Sequence, residues 1–509
     1  MMQRRAPMSG YLAAACSGLL LALSFPTPAW SILAWVALVP LLTTADQHSF
    51  KKGSLSGFVF FAIVLYWLNI VMTTYGGLSP SLSAAAYLLL VVYLSLYFGC
   101  AVWLACRLKA SKGYPFAVTL PVIWVGLEFT RAHLMTGFPW ATIGYSQQNL
   151  MMIQSSDLFG VYGLSFLVLF SNATISDVVL ALRQSRRLSV VSPLILACLL
   201  TLNAAYGYFC LEQPLDAREA QANVAVIQGN IDQAVKWNPA YKESSVDVYR
   251  QLSQQAGSKG PLDLVIWPEA ATPFYFQSGG MLSQRISELP QQLNGHLLFG
   301  SPAFQGSANK RVYLNSAFLL SPQGQVVGRS DKVHLVPFGE YVPLSVLLPF
   351  LDKLVVGIGD FSPGRIKSLN MAEHQLGVLV CYEAIFPELA RGFVADGSDL
   401  LVNITNDAWF GRSSAPAQHL GMVRFRAIEN RVWIARAANT GISAFVTPSG
   451  QIVSPSDLFE TSYIVEKVGL GAQPGLYVKL GDLIPGLFLF VSLFWLFQVR
   501  PWRISARSL

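Results

Sequence analysis

The chain has 509 residues, of which 53% are hydrophobic and only 12% charged, with a net charge of +7. That charged share is about half that of an ordinary soluble domain, which excludes a wholly soluble protein. The basic excess sits in short clusters between apolar runs, so it argues for membrane topology rather than for nucleic acid as a partner.

A membrane-crossing helix needs about 20 mostly apolar residues. On that criterion spans are predicted near 9–26, 29–45, 55–73, 84–106, 115–130, 159–182, 190–210 and 480–499, which makes about eight. The N-terminal domain, 1–212, then holds seven of them. A polar domain, 213–478, follows. The segment 479–509 supplies the last span and a tail. Arg4 and Arg5, Lys51 and Lys52, Arg107 to Lys112, Arg183 to Arg187, and Arg500 to Arg507 all fall on one side of this frame. That side is expected to be cytoplasmic, which makes the polar domain extracytoplasmic. Arg131 is the one exception among the opposite short loops. The N-terminus also has signal-peptide character, with Ala13 to Cys16 resembling a lipidation site. The apolar run continues past Cys16 to Leu23, however, so it is read as a span.

Within the polar domain, β-branched runs bounded by turn residues predict strands at Val224–Gln228, Leu262–Trp267, His296–Gly300, Val312–Leu320, Leu376–Val380 and Leu400–Ile404. Gln323-Gly324 and Ser449-Gly450 read as hairpin turns. A helix is expected after Ser414, with Pro416 in its first turn. Interposed strands and helices indicate an α/β or α+β domain.

Six cysteines are present, and Cys381 alone lies in the polar domain. An unpaired thiol there is either an inert buried residue or a reactive one. Two carboxylate-bearing segments favour reactivity. Trp267-Pro268-Glu269 ends a strand, and Lys332-x-x-Leu335-Val336-Pro337-Phe338-Gly339-Glu340 is rich in turns. With Cys381-Tyr382-Glu383 they supply a nucleophile, a carboxylate base and a cation. The histidines are scattered, and His334 reads as structural. No metal-ligand spacing occurs, and no cofactor is expected.

These three segments, in this order, resemble the nitrilase superfamily. Together with the span frame, and with Gly137 to Trp140, Trp237, Asn406 to Gly411 and Asn439 to Gly441, the chain resembles the apolipoprotein N-acyltransferase family. The resemblance implies an α-β-β-α sandwich for the polar domain. It implies Cys381 as nucleophile, Glu269 as general base and Lys332 as third member, with Glu340, Tyr382 and Glu383 in support. It places Trp237 at the substrate mouth. It also implies an inner-membrane protein with a periplasmic catalytic domain. The acyl donor would be a membrane phospholipid, and the acceptor the N-terminal amine of a diacylglyceryl apolipoprotein. A membrane-tethered amidase, in which water resolves the acyl-enzyme, and a transporter with a large outer domain remain alternatives. Val342–Leu354 is expected either to dip into lipid beside Glu340 or to form a core helix.

Overall fold

A computed structural model describes residues 7–213, 220–306, 310–341 and 361–499. Val342–Leu354 therefore lies outside the described residues.

The expected frame of about eight spans is not what the structure holds. Among the described residues, three helices are long and apolar enough to cross a membrane: Pro80–Lys112, Ser156–Arg183 and Val191–Glu212. A fourth is reached if Ser49–Val64 and Leu68–Tyr75, bent by 58° at their break, count as one span. The other apolar runs make shorter or interrupted helices. Pro7–Leu23 has 17 residues and Leu483–Gln498 has 16. At 1.5 Å per residue, each reaches only about 25 Å. The second run breaks into a 3-10 turn, Ser31–Trp35, and a five-residue helix, Val39–Thr43. Phe116–His133 carries Pro121, with Glu128 and Arg131 buried inside it. Apolar composition alone could not reveal these breaks. Arg131 is a structural residue, since its guanidinium donates to the carbonyls of Phe138 and Trp140 at 3.1 and 2.6 Å.

Among the described residues, twelve strands form two open six-stranded sheets. The first contains β1 (Gln221–Gln228), β2 (Leu264–Ile266), β3 (His296–Gln305), β4 (Val312–Leu320), β5 (Val326–Asp331) and β12 (Ser462–Gly469), in the order β12-β1-β2-β3-β4-β5. The second contains β6 (Leu369–Met371), β7 (His374–Val380), β8 (Leu400–Thr405), β9 (Ile434–Ala438), β10 (Ala444–Val446) and β11 (Ile452–Val453), in the order β11-β10-β9-β8-β7-β6. The predicted hairpin turns join β4 to β5 and β10 to β11, and the helix after Ser414 is Ala415–Asn430 with Pro416 in its first turn.

Strand alternation explains the layers, because successive side chains face opposite sides of a sheet. Val224, Val226 and Ile266 point inward and meet Val378, Val402 and Ile404 of the second sheet. Ala225, Ile227 and Val265 point outward and meet Val246, Tyr249, Ile286 and Leu289 from the helices Lys242–Gly257 and Met281–Leu293. The outer face of the second sheet is covered by Pro387–Ala395 and Ala415–Asn430. Those helices share one apolar core with the membrane helices.

Polar contacts tie the two halves together. Arg431, just past the 415–430 helix, pairs with Asp157 at 2.7 Å and donates to the side chain of Gln154, also at 2.7 Å. Glu429 accepts from the Val161 N–H at 3.0 Å. Removing one member of a buried pair strands the other charge, which costs about 3 kcal/mol. Asp157→Ala is therefore expected to lower the thermal midpoint of the detergent-solubilised protein clearly. An unchanged midpoint would mean that apolar contact alone joins the halves.

Candidate active site

Three strand ends converge where the two sheets open. Glu269 follows β2, Lys332 follows β5 and Cys381 follows β7. Parallel pairing of β1, β2 and β3 carries the chain out of the sheet at Trp267 to Glu269. The parallel β7-β8-β9 run does the same at Cys381, Asn406 and Asn439.

Lys332 is buried, at 1% exposure. Its ammonium lies 2.9 Å from Glu340 Oε1 and 3.6 Å from Glu269 Oε1. Burial alone would neutralise an amine. The Glu340 and Glu269 carboxylates, with smaller contributions from Cys381 and Glu383, outweigh it and hold Lys332 protonated well above its usual range. Asn315 on β4 spaces the carboxylates. Its side-chain amide donates to Glu269 Oε1 at 2.9 Å and to Glu340 Oε1 at 2.8 Å. The second oxygen of Glu269 accepts from the Asn406 N–H at 3.0 Å, and that of Glu340 from the Val336 N–H at 2.8 Å.

Cys381 has a positive φ of 55°, a conformation that costs a residue with a side chain on the order of 1 kcal/mol or more. Its thiol is pushed up by burial and by Glu269, against the opposing pull of Lys332. A neutral thiol held this way needs a base before it can attack.

Glu383 does not spend its carboxylate on Lys332. Its oxygens accept from the N–H groups of Val333, His334 and Val380 at 2.6, 3.0 and 2.6 Å. It thus ties the lysine loop to the end of the cysteine strand. Burial raises its pKa to about 7, against those three donors. The Tyr382 ring packs edge-on against Phe386 with centroids 5.2 Å apart, and His334 stacks on the same Phe386 at 3.9 Å. Trp237 is half exposed, at the end of the short helix Gln233–Lys236.

Several site residues were invisible in the sequence. Asn315 looks like an ordinary strand residue. His419 is fully buried behind Cys381, with Nε2 3.2 Å from the Cys381 carbonyl and Nδ1 3.2 Å from Asp407. Arg436 clamps the other Asp407 oxygen at 2.6 Å. Burial works against that carboxylate, but Arg436 and His419 prevail and keep it below the usual range. Lys236, next to Trp237, carries no motif signal, yet it is 1% exposed and donates to the Glu269 carbonyl at 3.2 Å.

The membrane half reaches this site. Trp67 meets Phe410 at 4.9 Å and Trp140 at 4.7 Å, and Tyr75 meets Trp409 at 5.4 Å. Trp140 donates to Gln418 at 2.7 Å. The loop that supplies Asn406 to Glu269 is therefore covered by aromatic rings from the membrane half.

A two-sheet domain with these strand ends is that of the carbon-nitrogen hydrolases, and residues 223–472 match that family. Residues 17–174 match the apolipoprotein N-acyltransferase N-terminal domain. The apolipoprotein N-acyltransferase of Geobacter metallireducens is 48% identical over 485 residues, 94% of this chain and 92% of that protein. That of Pasteurella multocida is 33% identical over 499 residues, 95% of this chain and 94% of that protein. Saccharomyces cerevisiae Nit3, a solved member of the nitrilase superfamily, aligns over 58% of this chain and 99% of its own, at 17% identity and a TM-score of 0.39. The chain belongs to the apolipoprotein N-acyltransferase family. It is a membrane-associated acyltransferase of lipoprotein maturation, with thioester chemistry.

Gly300 on β3 permits the close approach of the Glu269 turn. A Cβ there would lie 2.5 Å from the Ala270 nitrogen and 2.7 Å from Glu269 Cα. Backbone atoms cannot yield as a flexible side chain would. Gly300→Ala is therefore expected to move Glu269 and to lower transfer activity by about a hundredfold, the scale of a 1 Å misplacement. The check is acyl transfer measured beside a thermal melt, which should stay near the parent's.

Proposed function

We propose that the chain transfers an acyl chain from a membrane phospholipid to the α-amine of an N-terminal diacylglyceryl-cysteine, through a thioester on Cys381. The observation that carries this reading is the buried Glu269–Lys332–Glu340 cluster beside the Cys381 turn, in a chain whose two halves both belong to this family.

In the first half-reaction Glu269 takes the thiol proton, and the sulfur attacks the ester carbonyl. Lys332 faces the developing oxyanion as a fixed, fully charged donor. The carbon–oxygen bond then breaks, and Glu269 returns the proton to the lysophospholipid alkoxide. In the second half the acceptor amine attacks the thioester. Glu269 takes a proton from nitrogen, the carbon–sulfur bond breaks and the thiolate is reprotonated. Aromatic cover from Trp67, Trp140 and Phe410 favours a site from which water is kept, as the thioester requires. Trp237, half exposed, would pack an indole face against acyl chain at the mouth.

With phospholipid alone, the protein is expected to gain one acyl chain, labile to hydroxylamine. Cys381→Ala should gain none. Glu269→Gln should load far more slowly at neutral pH, because the raised thiol loses its base. Lys332→Ala should also fail. A diacylglyceryl lipopeptide should discharge the chain to its amine, whereas release as free fatty acid would indicate a hydrolase. Acylation that persists in Cys381→Ala would abandon the assignment.

The domain division at 1–212, 213–478 and 479–509, with the middle part in the periplasm, belongs to the same proposal. Arg183, Arg186 and Arg187 precede Val191–Glu212, a helix of full span length in which only Asn203 and Gly207 are buried. A basic loop prefers the cytoplasm, so the chain after Glu212 emerges on the opposite face. Reporter fusions at Gln184 and Gln254 are expected to report opposite sides. Two cytoplasmic signals would overturn the orientation.

A further inference from the structure

A buried ammonium costs several kcal/mol unless charge or hydrogen bonds compensate it. Lys332 meets that condition through two carboxylates. Lys236 is as deeply buried but is compensated far less. Its one hydrogen-bond acceptor among the described residues is the Glu269 backbone carbonyl, at 3.2 Å. Among those residues no carboxylate oxygen lies within ion-pair distance of it. A buried cation so weakly compensated beside Cys381 points to a role in the chemistry rather than in folding.

The placement of Lys236 supports this. It ends the short helix Gln233–Lys236, immediately before the half-exposed Trp237. Gln233 of the same turn accepts from the side chain of Asn406 at 2.6 Å, and Asn406 donates its N–H to Glu269. Lys236 therefore holds Glu269 at its backbone carbonyl, while Lys332 lies by its carboxylate, within the same hydrogen-bonded frame. The charges that act on it are those of Glu269 and Cys381, and burial draws its pKa down to about 8 against them. The charges that act on Cys381 are Glu269 and Asp407, which disfavour the thiolate, and Lys332, which favours it.

We propose that Lys236 is a positioning residue of this site, whose ammonium pins the Glu269 turn and supplies, with Lys332, the positive field in which Cys381 ionises. The inference rests on Cys381 being the nucleophile. In this arrangement the amine gives no proton to substrate. It fixes the backbone of the base from one side, while Asn315 and Asn406 fix its carboxylate from the other.

The test is alkylation of Cys381 by iodoacetamide across pH, in the full-length detergent-solubilised enzyme, read on the Cys381 peptide by mass spectrometry. In Lys236→Met the alkylation midpoint is expected to move up by about one pH unit, so that labelling below the midpoint slows about tenfold. Hydroxylamine-labile acyl loading should fall by a similar factor. Lys236→Arg, which keeps the charge, should restore the midpoint at least in part. If Lys236→Met does not fold, Lys236→Gln retains an N–H for the Glu269 carbonyl, removes only the charge and carries the same measurement. An unchanged midpoint in the charge-free variant, with a lowered melting temperature, would overturn the inference and leave Lys236 a structural clamp. Acylation that persists in Cys381→Ala would instead remove the nucleophile itself, so the two failures are distinguishable.

Discussion

Lys332 brings a full positive charge into a place without water, and the rest of the site is arranged around that charge. Burial works against the proton of an ammonium. Glu340 and Glu269 offset this, at 2.9 and 3.6 Å. Two carboxylates so close would repel each other, and Asn315 relieves that by donating one amide hydrogen to each. The bond from Glu340 to the lysine is the shorter, and its other oxygen is held by the Val336 N–H. Glu269 stands further off from the lysine, and its second oxygen is held by the Asn406 N–H.

The second constraint is mechanical. Cys381 sits at a positive φ directly after a buried strand, and such a conformation persists only where its surroundings over-determine it. They do so here. Glu383 collects three backbone N–H groups from both sides of the turn. His419, held by Asp407 and Arg436, lies against the Cys381 carbonyl. The strand end is thereby fixed relative to the lysine loop, and strain at Cys381 is balanced by hydrogen bonds from the ends of β5, β7 and β8 and from the 415–430 helix.

That helix also couples the chemistry to the membrane. One face carries His419 toward the nucleophile. Other residues carry Gln418 to Trp140, Arg426 to Tyr145 at 2.9 Å and Glu429 to the Val161 N–H. The apolar core runs without interruption from the membrane helices into the covering layer of the second sheet. A lipid-facing half and a nitrilase-type half are thus one packed body at this seam.

Much of this was legible from the amino-acid order. Strand ends at Glu269 and Cys381, the hairpin turns at Gln323-Gly324 and Ser449-Gly450, and the helix after Ser414 follow from local pattern, because alternation and turn chemistry are properties of neighbours in the chain. The spans were less legible. Hydropathy counts apolar residues but does not register that a run breaks at Val36 to Leu38, bends after Val64, or buries Glu128 and Arg131 within it. Composition therefore determined that the chain enters a membrane, and motif order determined which residues were candidates for chemistry. Only the tertiary structure decided that Asn315 spaces two carboxylates, that Glu383 binds backbone rather than Lys332, and that His419 and Lys236 lie within the site. Most of these contacts join residues that chain order leaves far apart, and strand neighbourhood within a sheet, or for Glu383 and the lysine loop the packing of one sheet on the other, brings them within hydrogen-bond distance.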